Sequence, residues 1–484
     1  MKKIILIFSF SLLISSESDL EISGYINYAY LSKLPNNSFL EFDNSIINIP
    51  YRLTSINISH QKHNISLFAN VALEYQLRDD NYFLESKNPQ DFLFDLRELY
   101  TTYIHNIYEF RIGKQIHSWG NVDNNSPLDN ASAIDYYYIF SPGKERKIAT
   151  FSAALDLYLG NLKLQTIISP LHNTNRLPIG DDDFPIELPL IPEKSNMMPI
   201  KDLGLESGLY ATYPFNFGEF ALSYFSGYDR IFNLSGVNVY GKGSDLSFTN
   251  IDILYGYRKT KTLGFGGVLL HSLFNIRFDI GNFSTQDMND STDFIIREST
   301  NTPTFYDSLH FAYPLKEKSN YIQKTFQIES ELPFNINLIA QYFTHDTLSY
   351  SSDSLPIDQE ISIPNLEINP EEMTPSNFFT PGLGVPLAFI TNKAILISLD
   401  KNFLDNELKL SFSTMFDIKT YNKKSNIYGS LNELKVEYDV VQDLIFLLGI
   451  TKINGSKNHP DGKNYRFNKM EEFSHLRFEL KYFF

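Results

Sequence analysis

Apolar and polar residues take turns along most of this chain. Ile65, Leu67, Ala69, Val71, Leu73, Tyr75 and Leu77 alternate with Ser66, Phe68, Asn70, Ala72, Glu74 and Gln76. Tyr108, Phe110 and Ile112 alternate with Glu109, Arg111 and Gly113, and the same rhythm runs from Ala149 to Leu159, from Leu408 to Ile418 and from Leu434 to Val440. A period of two describes a β-strand with one apolar and one polar face; a helical period of 3.6 fits none of these stretches. A soluble β-sandwich shows the same alternation. Three features favour a membrane barrel instead. The runs are about 10 to 15 residues long, suited to a tilted bilayer crossing. Aromatics crowd the strand ends, as in interfacial girdles, and the polar face carries charges along its length, as a water-filled lumen would.

The final stretch follows the same rule. Phe484, Tyr482, Leu480, Phe478 and Leu476 share one face, and Phe483, Lys481, Glu479, Arg477 and His475 share the other. An alternating last strand with a terminal aromatic resembles the closing strand that outer-membrane assembly machinery recognises. Phe478, Leu480, Tyr482 and Phe484 are therefore expected to form the assembly signal.

Connection lengths predict the topology. Short connections fall near 60–63, 105–107, 159–161, 214–218, 270–273, 332–334, 401–406 and 440–443. Between them lie polar stretches at 31–47, 78–92, 119–147, 170–204, 229–248, 284–319, 346–385, 421–427 and 454–471, most of them long. Short inner turns and long outer loops are the habit of bacterial barrels. Eight turns and nine loops predict 18 strands. The 251–270 stretch reads as one long strand or two short ones, so 16 is the runner-up. A barrel of this size leaves an aqueous channel unless loops fill it.

Charge and composition narrow the function. The chain has 484 residues, a formal net charge of −16, no Cys, one Trp, 30 Tyr and 40 Phe. The missing Cys excludes disulfides, thiolate zinc sites and cysteine nucleophiles. The acidic balance excludes nucleic acid as a partner. At the start, Lys2 and Lys3 precede an apolar run over 4–14 and the small residues Ser15, Ser16 and Ser18. This is the pattern of a secretory signal peptide over 1–18, leaving 19–484 as a single barrel domain. The acidic run Asp181, Asp182 and Asp183 reads as a solvated loop, with cation bridging to lipopolysaccharide phosphates as a minor alternative. None of the ten His forms a metal-binding pair on one strand face, and no nucleophile elbow, phosphate loop or calcium loop occurs. Neither a metal nor a cofactor is expected, and the reading is not an enzyme.

The most distinctive stretch runs from Arg111 to Asp129. Glu109, Arg111, Gln115, His117 and Trp119 share lumen parity, and Gly113 allows close packing inside the barrel. Lys114 has lipid-face parity and is expected to snorkel to an interface. Gly120 and Pro127 then turn the chain into the third outer loop, which carries Asp123 and is expected to bend inward as a constriction. On the last strand, Arg477, Glu479 and Lys481 also face the lumen. Facing rows of opposite charge orient dipolar solutes and filter ions; a structural salt-bridge network is the plainer alternative. Arg97 and Glu98 are adjacent, so at most one is expected to face inward.

Gly113-Lys114-Gln115, Trp119-Gly120 and Pro127-Leu128-Asp129 together resemble a motif of the DUF1302-type family of Gram-negative outer-membrane proteins, related in style to long-chain porins. Leu96-Arg97-Glu98-Leu99-Tyr100 and Ser223-Tyr224-Phe225-Ser226-Gly227-Tyr228-Asp229 resemble the same pattern. The likeness implies a barrel in the cell outer membrane and supplies no catalytic residues. The expected function is a porin-like channel for passive diffusion of small hydrophilic solutes. Its expected partners are outer-membrane lipid, lipopolysaccharide and the barrel-assembly machinery. A surface-binding barrel with a closed lumen, an adhesin or polysaccharide-attachment protein, is the alternative. An outer-membrane hydrolase is a further one, without a visible catalytic set.

Overall fold

The computed structural model describes residues 19–34, 47, 49–75, 92–139, 141, 143–179, 184, 197, 203–242, 245–288, 308–353, 379–421, 424–459, 462 and 465–484. The expected signal peptide over 1–18 and the acidic run 181–183 lie outside them. The wall strands are β1 (Asp19–Lys33), β2 (Tyr51–Lys62), β3 (Ile65–Tyr75), β4 (Phe92–His105), β5 (Tyr108–Gln115), β6 (Thr150–Leu159), β7 (Leu162–Ser169), β8 (Glu206–Phe215) and β9 (Gly218–Tyr228). They continue as β10 (Lys259–Leu270), β11 (Asn275–Gln286), β12 (Lys318–Leu332), β13 (Ile336–Ser351), β14 (Lys393–Phe403), β15 (Leu408–Tyr421), β16 (Lys424–Val441), β17 (Leu444–Gly455) and β18 (His475–Phe483). Each pairs antiparallel with its neighbours in one 18-stranded sheet. Strand β18 returns to β1, from Tyr25 opposite Phe483 to Lys33 opposite His475. The sheet is thus a closed barrel without an edge, the arrangement that leaves no strand unpaired in lipid.

All eight short turns fall where the sequence placed them. The outward parity is apolar and exposed: Ile26, Tyr28, Leu222, Leu263 and Leu434 point away from the barrel. Phe217, Phe334 and Phe403 stand exposed at the short turns, where an interfacial girdle belongs. Phe484 adds a final rung. Its N–H donates to the Gly24 carbonyl at 3.1 Å and its carbonyl accepts from Gly24 N–H at 2.9 Å. The Phe484 ring covers the bare face of Gly24, where a Cβ would lie 2.9 Å from it.

Four expectations are corrected. First, the 251–270 stretch, open between one long strand and two short ones, divides: 251–256 finish a strand outside the wall, and only Lys259–Leu270 is a wall strand, β10. Residues before it form a hairpin, Asn233–Lys242 with Asp245–Gly256, inside the fifth outer loop, and a third strand, Ser308–Pro314, joins it from the sixth. The alternation runs on because both the hairpin and the wall have two faces. Second, the eighth loop shrinks from 421–427 to the two residues between Tyr421 and Lys424. Third, both Arg97 and Glu98 are buried and both reach inner groups. Asn70 pairs with Glu98 while Val71 pairs with Leu96, so Arg97 is the extra residue of a β-bulge and parity slips by one. Fourth, the lumen is not charged along its whole length. At the outer end, inward residues Ala29, Leu31, Ala394, Met415, Leu431 and Ile453 join an apolar cluster with loop residues such as Tyr136, Phe389 and Phe467.

Candidate functional site: the lumen crossed by loops

The third outer loop (loop 3, residues 116–149) leaves β5 and folds into the barrel. Trp119 lies flat on Tyr210 of β8, ring centroids 5.5 Å apart and 8° from parallel, and its Nε1 donates to Gln165 Oε1 at 2.5 Å. Gly208 makes this possible, since a Cβ there would sit 2.4 Å from the indole. Gly120 follows with φ +101°, a left-handed conformation that favours glycine. Asp279 of β11 then takes hold of the loop. Its carboxylate accepts from the N–H of Asn121 at 2.7 Å, the N–H of Val122 at 3.0 Å and Asn121 Nδ2 at 2.8 Å. Among the described residues Asp279 has no cation partner, so loop amides carry its charge.

Farther along, loop 3 is fastened to β12 and β13. Asp123 N–H donates to Gln327 Oε1 at 2.9 Å, and Gln327 Nε2 donates to Asp123 Oδ2 at 2.8 Å. Thr325 Oγ1 donates to the Asn125 carbonyl at 2.6 Å, and Asn125 Nδ2 donates to Gln341 Oε1 at 3.0 Å. The wall has cleared room: Leu128 lies against Gly264 and Pro127 against Gly281. The returning limb rests on the opposite wall. Glu145 pairs with Arg52 at 2.5 Å and with Arg97 at 3.6 Å. Loop 3 therefore bridges the barrel from one side to the other.

A second loop joins it. Residues 379–392, the end of the seventh outer loop (loop 7, 352–392), fold inward with a short 3-10 turn, Pro386–Phe389, fully buried. Val385 N–H donates to Gln323 Oε1 at 2.7 Å, and Tyr136 of loop 3 donates to the Pro386 carbonyl at 3.3 Å. Arg258 holds the base of loop 7 through the Thr380 carbonyl, and pairs with Asp229 at 2.6 Å and with Glu317. Arg230 pairs with Glu206 at 2.9 Å and donates to the Asn173 carbonyl at 3.0 Å.

The sequence-selected residues divide between wall, packing and water. Glu109 and Arg111 face inward on β5, half-buried, and Arg111 pairs with Asp156 at 3.2 Å and Glu109 at 3.6 Å. Arg477 pairs with Glu479 at 2.5 Å, and Lys481 Nζ stands 3.7 Å from the Tyr25 ring centre. Asp123 keeps an exposed carboxylate, its side chain 49% accessible, 3.9 Å from Arg277. Gln115, at the end of β5, and His117 and Trp119, in the first turn of loop 3, are buried. Gln115 Nε2 donates to the Ser152 carbonyl at 3.0 Å, and His117 Nε2 is 2.8 Å from Ser152 Oγ. Burial first, then the charges of Arg111, Lys147 and Lys144, push the His117 imidazole down to about 3. The neutral form belongs to this packing. Gly113 sits against the β4 backbone, where a Cβ would be 2.3 Å from the Leu99 carbonyl. Lys114 does not reach free into an interface; its Nζ donates to the Leu96 carbonyl at 2.5 Å.

Sequence reasoning missed Asp279, Arg230, Arg258 and the inward course of residues 379–392. Two signals pointed there. Gly264, Gly266 and Gly281 place bare backbone at inward positions of adjacent strands, and 380–386 mixes Pro and Gly with apolar residues.

No family model matches the chain, and no curated protein matches its sequence, so the DUF1302-type resemblance gains no support from that side. Solved structures do match. OccAB4 of Acinetobacter baumannii is 10% identical, with a TM-score of 0.51, over 96% of this chain and 98% of that one. The chain shares the Occ barrel fold. The Pseudomonas aeruginosa outer membrane protein OpdK matches at 10% identity and a TM-score of 0.47, over 96% of this chain and 99% of its own. OccK2 (OpdF) of the same organism, in complex with glucuronate, matches at 10% identity and a TM-score of 0.47, over 96% and 98%. These neighbours are Occ/OprD outer-membrane porins with 18-strand barrels.

Proposed function

We propose that the protein is a channel of the Gram-negative outer membrane that passes small hydrophilic solutes by diffusion through a loop-narrowed lumen. One observation carries this reading: a closed 18-strand barrel, apolar outside, is crossed by a loop fastened to its wall by side-chain hydrogen bonds. A loop held this way sets a fixed aperture rather than an open mouth. Partly exposed charges of both signs remain in the lumen: Asp123 beside Arg277, Arg111 beside Glu109, and Lys163 over the buried Asp156. Paired rows of this kind bias which ions and dipoles pass. The DUF1302-type likeness is consistent with an outer-membrane location but names no solute. Lipid, lipopolysaccharide and the assembly machinery follow as partners from the same reading.

The alternative to this channel is a loop-built surface binder with a sealed lumen. Conductance of the purified, folded protein in planar bilayers separates the two. Discrete single-channel steps support the channel, and their absence in folded protein supports the binder. Arg111→Ala tests the lumen charges. It leaves Asp156 with Lys163 and Glu109 without its cation, so the reversal potential shifts toward cation preference while folded yield is unchanged. An unmoved reversal potential with lost folded protein would show that Arg111 serves the structure alone.

A further inference from the structure

The outer surface of the wall changes character on one side of the barrel. On β10 and β12 the exposed Leu263, Phe265, Phe326 and Ile328 point outward, and the alternate residues are buried. Lys259 and Lys261 share the outward parity of Leu263, and Lys318 and Lys324 share that of Phe326. Lys393 of β14 shares the parity of Ile395, which stands across from the exposed Tyr342 of β13. These five lysines therefore face away from the lumen.

Cross-strand register groups them. Lys259 lies across from Gln286, and Gln286 across from Lys318. One rung inward, Lys261 lies across from Ser284, and Ser284 across from Asn320. Farther down, Lys324 lies across from Thr344, and Thr344 across from Lys393, whose Nζ is 5.8 Å from the Tyr342 ring centre. The next rung is wholly apolar or aromatic: Phe278, Phe326, Tyr342 and Ile395. The change marks a boundary between hydrocarbon and headgroups. Its height agrees, since Lys261, Lys324 and Lys393 lie 9, 8 and 10 residues from the inner strand ends Leu270, Leu332 and Phe403. At about 3.3 Å per residue and a tilt of about 40°, that is roughly 20–25 Å, near the height of the apolar band.

This arc runs against the rest of the chain, whose formal net charge is −16. Toward the outer ends of β1 and β4 the outward residues are the exposed aromatics Tyr28, Tyr30, Phe92 and Phe94. Register gives the described wall one outward carboxylate, Asp346, within the arc itself. Among the described residues Lys259, Lys261 and Lys324 make no ion pair. Ammonium groups gathered at the edge of hydrocarbon call for anions supplied from outside the chain. A second copy of the chain supplies none, because its sole outward carboxylate lies among the same lysines.

We propose that the outward face of β10 to β14 is a docking arc for the phosphate-bearing headgroup of lipopolysaccharide. Lys261, Lys324 and Lys393 meet its phosphates, and the rung of Phe278, Phe326, Tyr342 and Ile395 lies along its acyl chains. This rests on the outer-membrane location in the reading above and is independent of conduction.

The test is native mass spectrometry of the folded full chain in detergent, titrated with lipopolysaccharide, which reads bound lipid and oligomeric state together. The expected result is saturable binding, weakened about tenfold or more in Lys261→Gln/Lys324→Gln, as loss of two lysines beside an anionic lipid implies. Dephosphorylated lipopolysaccharide binds the parent as weakly as that variant binds the intact lipid. Lys401→Gln/Lys452→Gln, the same charge change at outward positions off the arc, binds as the parent does. Equal affinity in the parent and Lys261→Gln/Lys324→Gln overturns the proposal, as does binding indifferent to the phosphates. Phosphatidylglycerol bound as tightly as lipopolysaccharide overturns the choice of lipid. Dimers that disperse in Lys261→Gln/Lys324→Gln give the arc to a second copy and overturn it too. A barrel that binds lipopolysaccharide and passes no current fails the channel reading alone. One that conducts without phosphate-dependent binding fails this inference alone.

Discussion

His117 shows how one side chain can tie a loop to a pH range. Its imidazole is buried, touches Ser152 Oγ and is held neutral, with its titration pushed down to about 3. In an unseated loop the same group titrates near 6.5. Above that value neither state takes up a proton and the seating is at full strength. As the pH falls from about 6.5 toward 3, only the unseated loop binds the proton, and seating weakens by up to about 1.4 kcal/mol per pH unit. Conductance should therefore become larger and noisier between pH 6.5 and 4. His117→Gln should remove the part of that change that His117 contributes. A variant trace that follows the parent at every pH would assign the effect to other loop groups.

At the scale of elements, the wall and loop 3 are held by different forces. The wall stands on a continuous ladder of backbone hydrogen bonds; the loop stands on side chains, with Asp279 at the centre. Asp279→Ala removes the acceptor of three N–H groups, each charged hydrogen bond worth about 1.5–3 kcal/mol. The expected outcome is a wider channel, seen as higher single-channel conductance, with the barrel's heat-resistant gel mobility unchanged. Unchanged conductance would mean that Gln327, Thr325 and Gln341 suffice to hold the loop. This division also explains what could be read from the chain beforehand. Strand positions and turns were legible because lipid and water impose a period of two on neighbouring residues. The inward residues Glu109, Arg111, Arg477, Glu479 and Lys481 were legible for the same reason. Asp279 was not, because its partner Asn121 is 158 residues away and no local pattern links them. The expectation that at most one of Arg97 and Glu98 faces inward failed because a bulge resets parity without leaving a mark in polarity. The outer apolar cluster was missed because an inward Leu31 or Ile453 looks the same whether it meets water or a folded-in loop.

For the whole molecule, the decisive contact is between the two ends of the wall. Strand β1 and strand β18 complete the circle, and Phe484 supplies the last pair of hydrogen bonds with Gly24. Those two bonds are worth only about 0.5–1.5 kcal/mol each, a small share of a barrel's stability. Deleting Phe484 should therefore leave the stability of refolded protein nearly unchanged while lowering the amount that reaches the membrane in cells. Urea unfolding and quantitative surface labelling read the two effects separately. Normal surface levels would remove Phe484 from the assembly signal proposed for Phe478, Leu480, Tyr482 and Phe484.

The separation between ladder and pins has an evolutionary corollary. On the proposed channel reading, substitutions at Asp279, Gln327 or Gln341 alter the gap beside the loop without breaking a rung of the cylinder. A lineage bearing this architecture can retune its diet by trial at a handful of inward positions, while the container that must survive export and insertion stays as it was.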